Sequence, residues 1–354
     1  MKGRLALVGA VGAAWLLTFV LLGGNVLPSI DGHHQAASSH ATTTPTPLYP
    51  NPTPIGPPTA SPTTAGGLSS TASLAERIAH TAPLAGQTLE ARPRARRSSA
   101  PVLQFRMATY NVQGSSHTRG NPRRASGVVR MTRGAQYVVQ NGFSIVGFQE
   151  MQPDQRATFM QVTQGAYGLY PYDKLGTLDG DNSIAWRLSD WSLVRAQTIP
   201  IQYFGGVNRN MPILLLRNRQ TGIEAYFTNF HNPADVYGPA AKFRAVDKVR
   251  EINLFNQLAK FGLPVFVTGD MNEHITWACD IVTATNLHVA AGGDGRNGCS
   301  VTDDQTIDWI AGSYAIGFES YFWDKSAFVR TVTDHAIVST DVTIDAADFP
   351  RSLH

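Results

Sequence analysis

VLQFRMATYNVQG (residues 102–114) alternates through Val102–Tyr110 as a half-buried strand must, then breaks into Asn111-Val112-Gln113-Gly114. Val128, Val129, Met131, Tyr137 and Val138 follow at roughly helical spacing and predict a helix. The apolar run SIVGF (144–148) predicts a buried strand that ends in Gln149-Glu150. Strand, helix and strand in this order predict helices packed on sheets.

Working outward, strands are expected at Ser183–Leu188, Met211–Arg217, Ile223–Phe230 and Pro264–Thr268, with a helix across 239–262. Several of these strands leave the core on polar residues. His231-Asn232-Pro233 follows one and Gly269-Asp270-Met271-Asn272 another, while Ile307-Asp308-Trp309-Ile310 and Thr333-Asp334-His335 mark two more strand ends. One such end means little, because an Asn after a strand is usually a turn former and Gly-Asp-x-Asn a loop. Six in one domain read differently, since enzymes place catalytic groups where strands leave the core.

The succession TYNVQG, GFQEM, TNFHNPAD, VTGDMNE, TIDWI and TDHAIV resembles the endonuclease/exonuclease/phosphatase superfamily over roughly 102–342. The resemblance implies an α+β fold, a four-layer α-β-β-α sandwich of two mixed sheets flanked by helices. Periodicity alone leaves a plain α/β sheet open. It also implies a metal-dependent phosphoesterase, with Glu150 as principal ligand of Mg²⁺ (or Mn²⁺ or Ca²⁺) and Asn111 beside it touching metal or phosphate. Asp334 corresponds to a second metal-side carboxylate. His231 corresponds to a proton donor or phosphate contact, and Asp270 with Asn272 to the pair that positions water and phosphoryl oxygens. Asp308 corresponds to the carboxylate that orients His335, the expected base, with Asp270 as the alternative group to take the water proton.

These types suit the chemistry independently. In-line attack on phosphorus needs an activated water, neutralised non-bridging oxygens and a protonated leaving oxygen. An Asp accepting from one imidazole nitrogen makes the other a better base. Gln113 departs from the family pattern, standing where some members carry Asp. Among the remaining features, Arg244 and Lys248 read as a solvated helix face, with a phosphate contact by one of them as the alternative, and Asn182 as a turn residue or a phosphate contact. The Gly-rich stretch from Tyr203 to Asn210 could form a substrate loop, and Trp186, Trp191, Trp277, Trp309 and Trp323 read as core.

Charge argues against a general polyanion-binding body. Seven basic residues and only Asp31, Glu76 and Glu90 precede Pro101, so of 29 basic and 26 acidic residues the rest of the chain holds 22 and 23. A nucleic-acid phosphodiester is nevertheless the leading substrate class, because branches acting on DNA or sphingomyelin use a histidine at the position of His231. A lipid phosphodiesterase or a sugar or inositol phosphatase is the alternative, and a non-catalytic surface module a minor one. The domain is expected to be a monomer.

The chain divides into an apolar N-terminal segment (1–31), a Pro/Thr/Ser/Ala-rich linker expected to be disordered (32–100) and the domain (101–354). The apolar run from Leu5 to Leu27, behind Lys2 and Arg4 and with no adjacent small-x-small cleavage site, predicts a single-pass membrane anchor with the domain outside the cytoplasm. Secretion after cleavage is the alternative. Cys279 and Cys299 are then expected to form a disulfide, which contributes about 3 kcal/mol by loop entropy.

Overall fold

The computed structural model describes residues 100–353. The expected membrane segment (1–31) and, apart from Ala100, the linker (32–100) lie outside the described residues. Among the described residues, no helix is long and apolar enough to cross a membrane.

In chain order the elements are β1 (Val102–Asn111), α1 (Gly127–Gln140), β2 (Ile145–Gln149), α2 (Pro153–Val162), β3 (Tyr167–Tyr170), α3 (Thr177–Gly180), β4 (Ser183–Arg187) and β5 (Trp191–Gln202). They continue as β6 (Asn208–Asn218), β7 (Glu224–His231), α4 (Ala241–Ala259), β8 (Val265–Asp270), α5 (Ile275–Ala284) and β9 (Leu287–Val289). The chain closes with β10 (Asp308–Ser313), β11 (Gly317–Asp324), α6 (Val329–Val332) and β12 (Ile337–Asp345).

The strands form two six-stranded mixed sheets. Sheet A runs β11-β12-β1-β2-β4-β3 and sheet B runs β5-β6-β7-β8-β10-β9. Each has one parallel pair, β1 with β2 and β7 with β8, among antiparallel neighbours. With helices on the flanks this is the α-β-β-α sandwich, not a plain α/β sheet.

Successive side chains of one strand face opposite ways, so the central strands feed two cores. Met107, Ile145, Leu214, Phe227, Phe266 and Val338 belong to the layer joining the sheets. Ala108, Tyr110, Val146 and Phe148 turn instead toward Met131, Ala135, Val138 and Phe159 of α1 and α2. Burial on both faces explains the unbroken apolar run of β2. The sheets come so close at Gly147 that a Cβ there would lie 2.0 Å from Thr268 Oγ1 and 2.5 Å from Asn229 Oδ1.

Some sequence expectations need correction. Helix α1 buries Met131, Ala135 and Val138 but leaves Val128 and Val129 exposed. Strand β5 and strand β11 are not marked by patterning, because few of their side chains are buried. The Tyr203–Asn210 stretch is the tip of the β5–β6 hairpin, with Asn208 onward already in strand. Cys279 and Cys299 are bonded, Cα atoms 5.1 Å apart, tying α5 to the loop before β10.

Candidate active site

Strand register assembles the site. In sheet B, Asp270 pairs with His231 on one side and Asp308 on the other, so three strands deliver three functional residues in one row. In sheet A, Asn111 pairs with Gln149, which sets Glu150 beside it, and Tyr110 pairs with Ile337, two residues after His335. Both rows lie at the same end of the sandwich.

Asn111 joins them. Its buried Nδ2 donates to Glu150 Oε1 at 3.2 Å and to Asp270 Oδ2 at 3.0 Å. Asp270 Oδ2 also lies 3.6 Å from His231 Nε2 and 3.6 Å from His335 Nε2. One carboxylate, 1% exposed, therefore sits between two imidazoles. On the far side of His335, Nδ1 is 3.1 Å from both oxygens of Asp308. Asn272 donates its backbone N–H to Asp270 Oδ1 at 3.0 Å and its amide to Asn232 O at 2.7 Å.

Electrostatics follow burial. Burial works against ionised Glu150, yet His117, His231 and the Gly114 N–H outweigh it and hold the carboxyl well below the usual range. Burial likewise opposes a charge on His335, but Asp308, Asp270 and Asp334 prevail and hold its imidazolium well above the ordinary histidine range. Burial pushes the Asp308 carboxyl up. This pair keeps its proton tightly.

Asp334 stands apart from the buried row. It is exposed and accepts from Gln113 Nε2 at 2.8 Å, and Gln113 Oε1 accepts in turn from Arg124. The position where some relatives carry Asp thus carries a neutral link from Asp334 to a guanidinium. Arg244 and Lys248 are buried, not a solvated face. Arg244 binds Asp235 and Lys248 binds Asp280 and Glu273, bracing the segments after His231 and Asn272. Asn182 opens β4, and its Oδ1 is buried without a hydrogen-bond partner.

Trp186, Trp191, Trp277 and Trp309 are buried as expected. Trp323 is only partly so, because it lines a cavity of ≈ 150 Å³ with Asp308, Asp334 and His335. Two site residues have no sequence signal. Tyr203, at the hairpin tip, places its hydroxyl 3.0 Å from His231 Nδ1. His117, on a 3₁₀ turn after β1, places Nδ1 2.7 Å from Glu150 Oε2.

Three of the six non-glycine residues with left-handed φ among the described residues lie at this end. Gln113, Glu150 and Asn272 have φ of 54°, 59° and 48°, a left-handed region that side chains of Gln and Glu rarely adopt. Such conformations cost on the order of 1–3 kcal/mol each and persist where surrounding contacts enforce them.

Among the described residues, one group of donors is close enough together to hold a divalent cation. Ligand atoms of Asp270, Asp308 and His335 all lie within 4.8 Å of one another. Of the ligands expected from sequence, Asn111 and Glu150 are hydrogen-bonded to each other, whereas Asp334 bonds to Gln113 instead. Glu150, Asp270, Asp308 and Asp334 make their hydrogen bonds and ion pairs with amides, hydroxyls and histidines. This acidic, oxygen-rich set fits a hard cation.

The architecture is shared with known structures. An endonuclease/exonuclease/phosphatase family protein of Bacteroides thetaiotaomicron matches with a TM-score of 0.56 at 19% identity, over 70% of this chain and 98% of that one. A mannosyl-6-phosphatase of the same organism gives 0.52 at 20%, over 67% and 99%. The human Nocturnin catalytic domain gives 0.54 at 16%, over 69% and 97%. At these identities the likeness establishes the fold alone. No curated protein matches the chain. The sequence profile of the Endonuclease/Exonuclease/phosphatase family, however, matches residues 108–354. The chain therefore belongs to that family, as a hydrolase of phosphoric esters of a kind that is metal-dependent there.

Proposed function

We propose that this domain is a phosphodiesterase acting on nucleic acid by in-line attack of water. The observation that carries this reading is the placement of Asp270 between His231 and His335, with each imidazole Nε2 3.6 Å from the same carboxylate oxygen. Cleaving a phosphodiester requires one group to take a proton from water and another to give one to the leaving alkoxide. Two histidines on either side of one anion supply both.

His335 is the base, and Asp308 on Nδ1 fixes its ring and stabilises the imidazolium that forms. His231 is the donor. Burial, with Glu150 and Asp270 adding, holds the Tyr203 hydroxyl well above its ordinary pKa, so it stays neutral, and at 3.0 Å from His231 Nδ1 it fixes the ring. Asn111 and Asn272 restrain the carboxylates and face the phosphoryl oxygens. A divalent cation, when bound by Glu150 and its neighbours, neutralises charge developing on those oxygens.

Location outside the cytoplasm, attachment through the apolar run at 5–27 and a monomeric state belong to the same proposal. The Cys279–Cys299 bond supports the compartment. A lipid substrate is the second reading, because exposed Val207, Val236 and Tyr237 surround the hairpin tip, where Phe204 packs 4.8 Å from the Tyr237 ring.

Full-length protein, with and without EDTA, should be assayed on bis-p-nitrophenyl phosphate, then on DNA, RNA, sphingomyelin vesicles, inositol phosphates and sugar phosphates. EDTA-sensitive cleavage of DNA or RNA above the rest is the expected result. Preference for sphingomyelin transfers the proposal to lipid, and cleavage of monoesters alone ends it.

A further inference from the structure

We propose that His117 is a ligand of the divalent cation, which biases this centre toward Mn²⁺ and away from Mg²⁺. The inference rests on the reading above that a cation binds at Glu150. The imidazole Nδ1 lies 2.7 Å from Glu150 Oε2. Two cis ligands with metal bonds of about 2.1 Å stand roughly 3 Å apart. A shift of a few tenths of an ångström would turn this contact into one edge of a coordination sphere.

The alternative is an ordinary ion pair, and magnitudes weigh against it. The His117 side chain is 51% exposed, and an ion pair so open to water is weak. Yet the chain on both sides is held in costly conformations. Gln113 and Glu150 are both left-handed, a conformation side chains rarely adopt. The turn carrying His117 is also stitched to the segment that follows Glu150. Ser115 N–H donates to Gln155 Oε1 (3.1 Å), Ser115 Oγ to Asp154 (2.6 Å), Ser116 N–H to Gln152 Oε1 (2.8 Å) and Gln152 Nε2 to Ser116 Oγ (2.7 Å). These contacts hold His117 Nδ1 beside Glu150 Oε2 in advance of any cation.

The set also has a chemical preference. Gly114 N–H already donates to Glu150 Oε2 at 2.9 Å and orients it. An imidazole beside a carboxylate suits Mn²⁺ better than Mg²⁺, which favours oxygen and retained water.

The test uses full-length protein and metal alone. Mn²⁺ and Mg²⁺ affinities are measured by calorimetry, and Mn²⁺-loaded protein is examined by pulsed EPR for coupling to histidine nitrogen. Wild type should show nitrogen coupling. His117→Ala should lose it, together with at least about tenfold in Mn²⁺ affinity, the lower bound for losing even a supporting group, and less for Mg²⁺. Labelling with ¹⁵N-histidine shows that the coupled nitrogen belongs to a histidine, and the variants show which one. Wild-type coupling that survives His117→Ala but vanishes in His335→Asn would place the metal at Asp270, Asp308 and His335 and overturn the proposal. Mn²⁺ binding that needs Glu150 but shows no nitrogen coupling would overturn it while leaving the Glu150 reading intact. No binding of either metal would overturn both.

Discussion

Sheet A brings Asn111, Glu150, Asp334 and His335 to the cleft, and apart from Asn111 it leaves them within reach of water. Sheet B brings His231, Asp270 and Asp308 to the same end and buries all three. The contrast has a physical cause. A buried charge must be paired or hydrogen-bonded at all times, so the sheet B row is a fixed relay in which every group restrains the next. A partly exposed carboxylate can exchange partners, so the sheet A side suits a cation and a substrate that come and go. The Asp308–His335 pair spans the two halves.

Variants can break this comparison. Asp270→Asn should be the most damaging, lowering kcat by about 10⁴-fold, as when one member of a coupled catalytic group is removed. Assay at saturating metal checks this, and a loss smaller than that of Glu150→Gln would mean the buried row is not the centre of catalysis.

His335→Ala should cost about 10²–10⁴-fold, the range for general-base loss. Adding Asp308→Ala should cost little more if the two act as one unit, whereas multiplying losses would separate them. The wild-type pH–rate profile sharpens the point. His335 holds its proton above the ordinary histidine value, so the base form appears only at higher pH. The ascending limb should therefore lie above about 6.5 and disappear in His335→Ala. A limb at 6.5 or below would remove the influence of the surrounding carboxylates.

Glu150→Gln should act through affinity, weakening metal binding by about 10–100-fold while high metal restores most of the turnover. Calorimetry and a metal titration of activity measure both. Turnover that stays low at saturating metal would make sheet A as rigidly catalytic as sheet B.

The smallest effect concerns stability behind sheet B. Burial pushes the Glu251 carboxyl on α4 up to about 7, against the pull of the Trp277 and Asn232 side chains. A carboxyl raised above its unfolded value near 4.5 contributes stability that is full below that pH and lost as pH rises through about 7. Wild type should thus lose Tm from pH 5 to pH 8, and Glu251→Gln should lose less. The difference should reach a few kcal/mol at most, at about 2–4 °C each. Equal slopes for the two proteins would mean that Glu251 ionises freely. Asp247, pushed by burial to about 6, leaves part of the slope in place.

Much of this was legible in the chain itself. Asn111, Glu150, His231, Asp270, Asp308 and His335 stand at strand ends because the apolar run stops there, and a linear pattern records where a strand leaves its core. The same pattern missed β5 and β11, which bury too few side chains to leave a period. It misjudged Arg244 and Lys248, whose burial depends on partners at Asp235, Glu273 and Asp280.

By itself the sequence determined the strand–helix alternation, the set of polar strand ends and, through resemblance, the layered fold and the class of chemistry. Tertiary structure alone decided which of those ends touch. Asp270 meets His231 and Asp308 because β7, β8 and β10 share one register, and it meets His335 because the second sheet faces the first. His117 and Tyr203 enter the site from a turn and a hairpin tip, where no periodicity marks a residue. Their roles arise from distances across the fold, and pairing and packing set those distances.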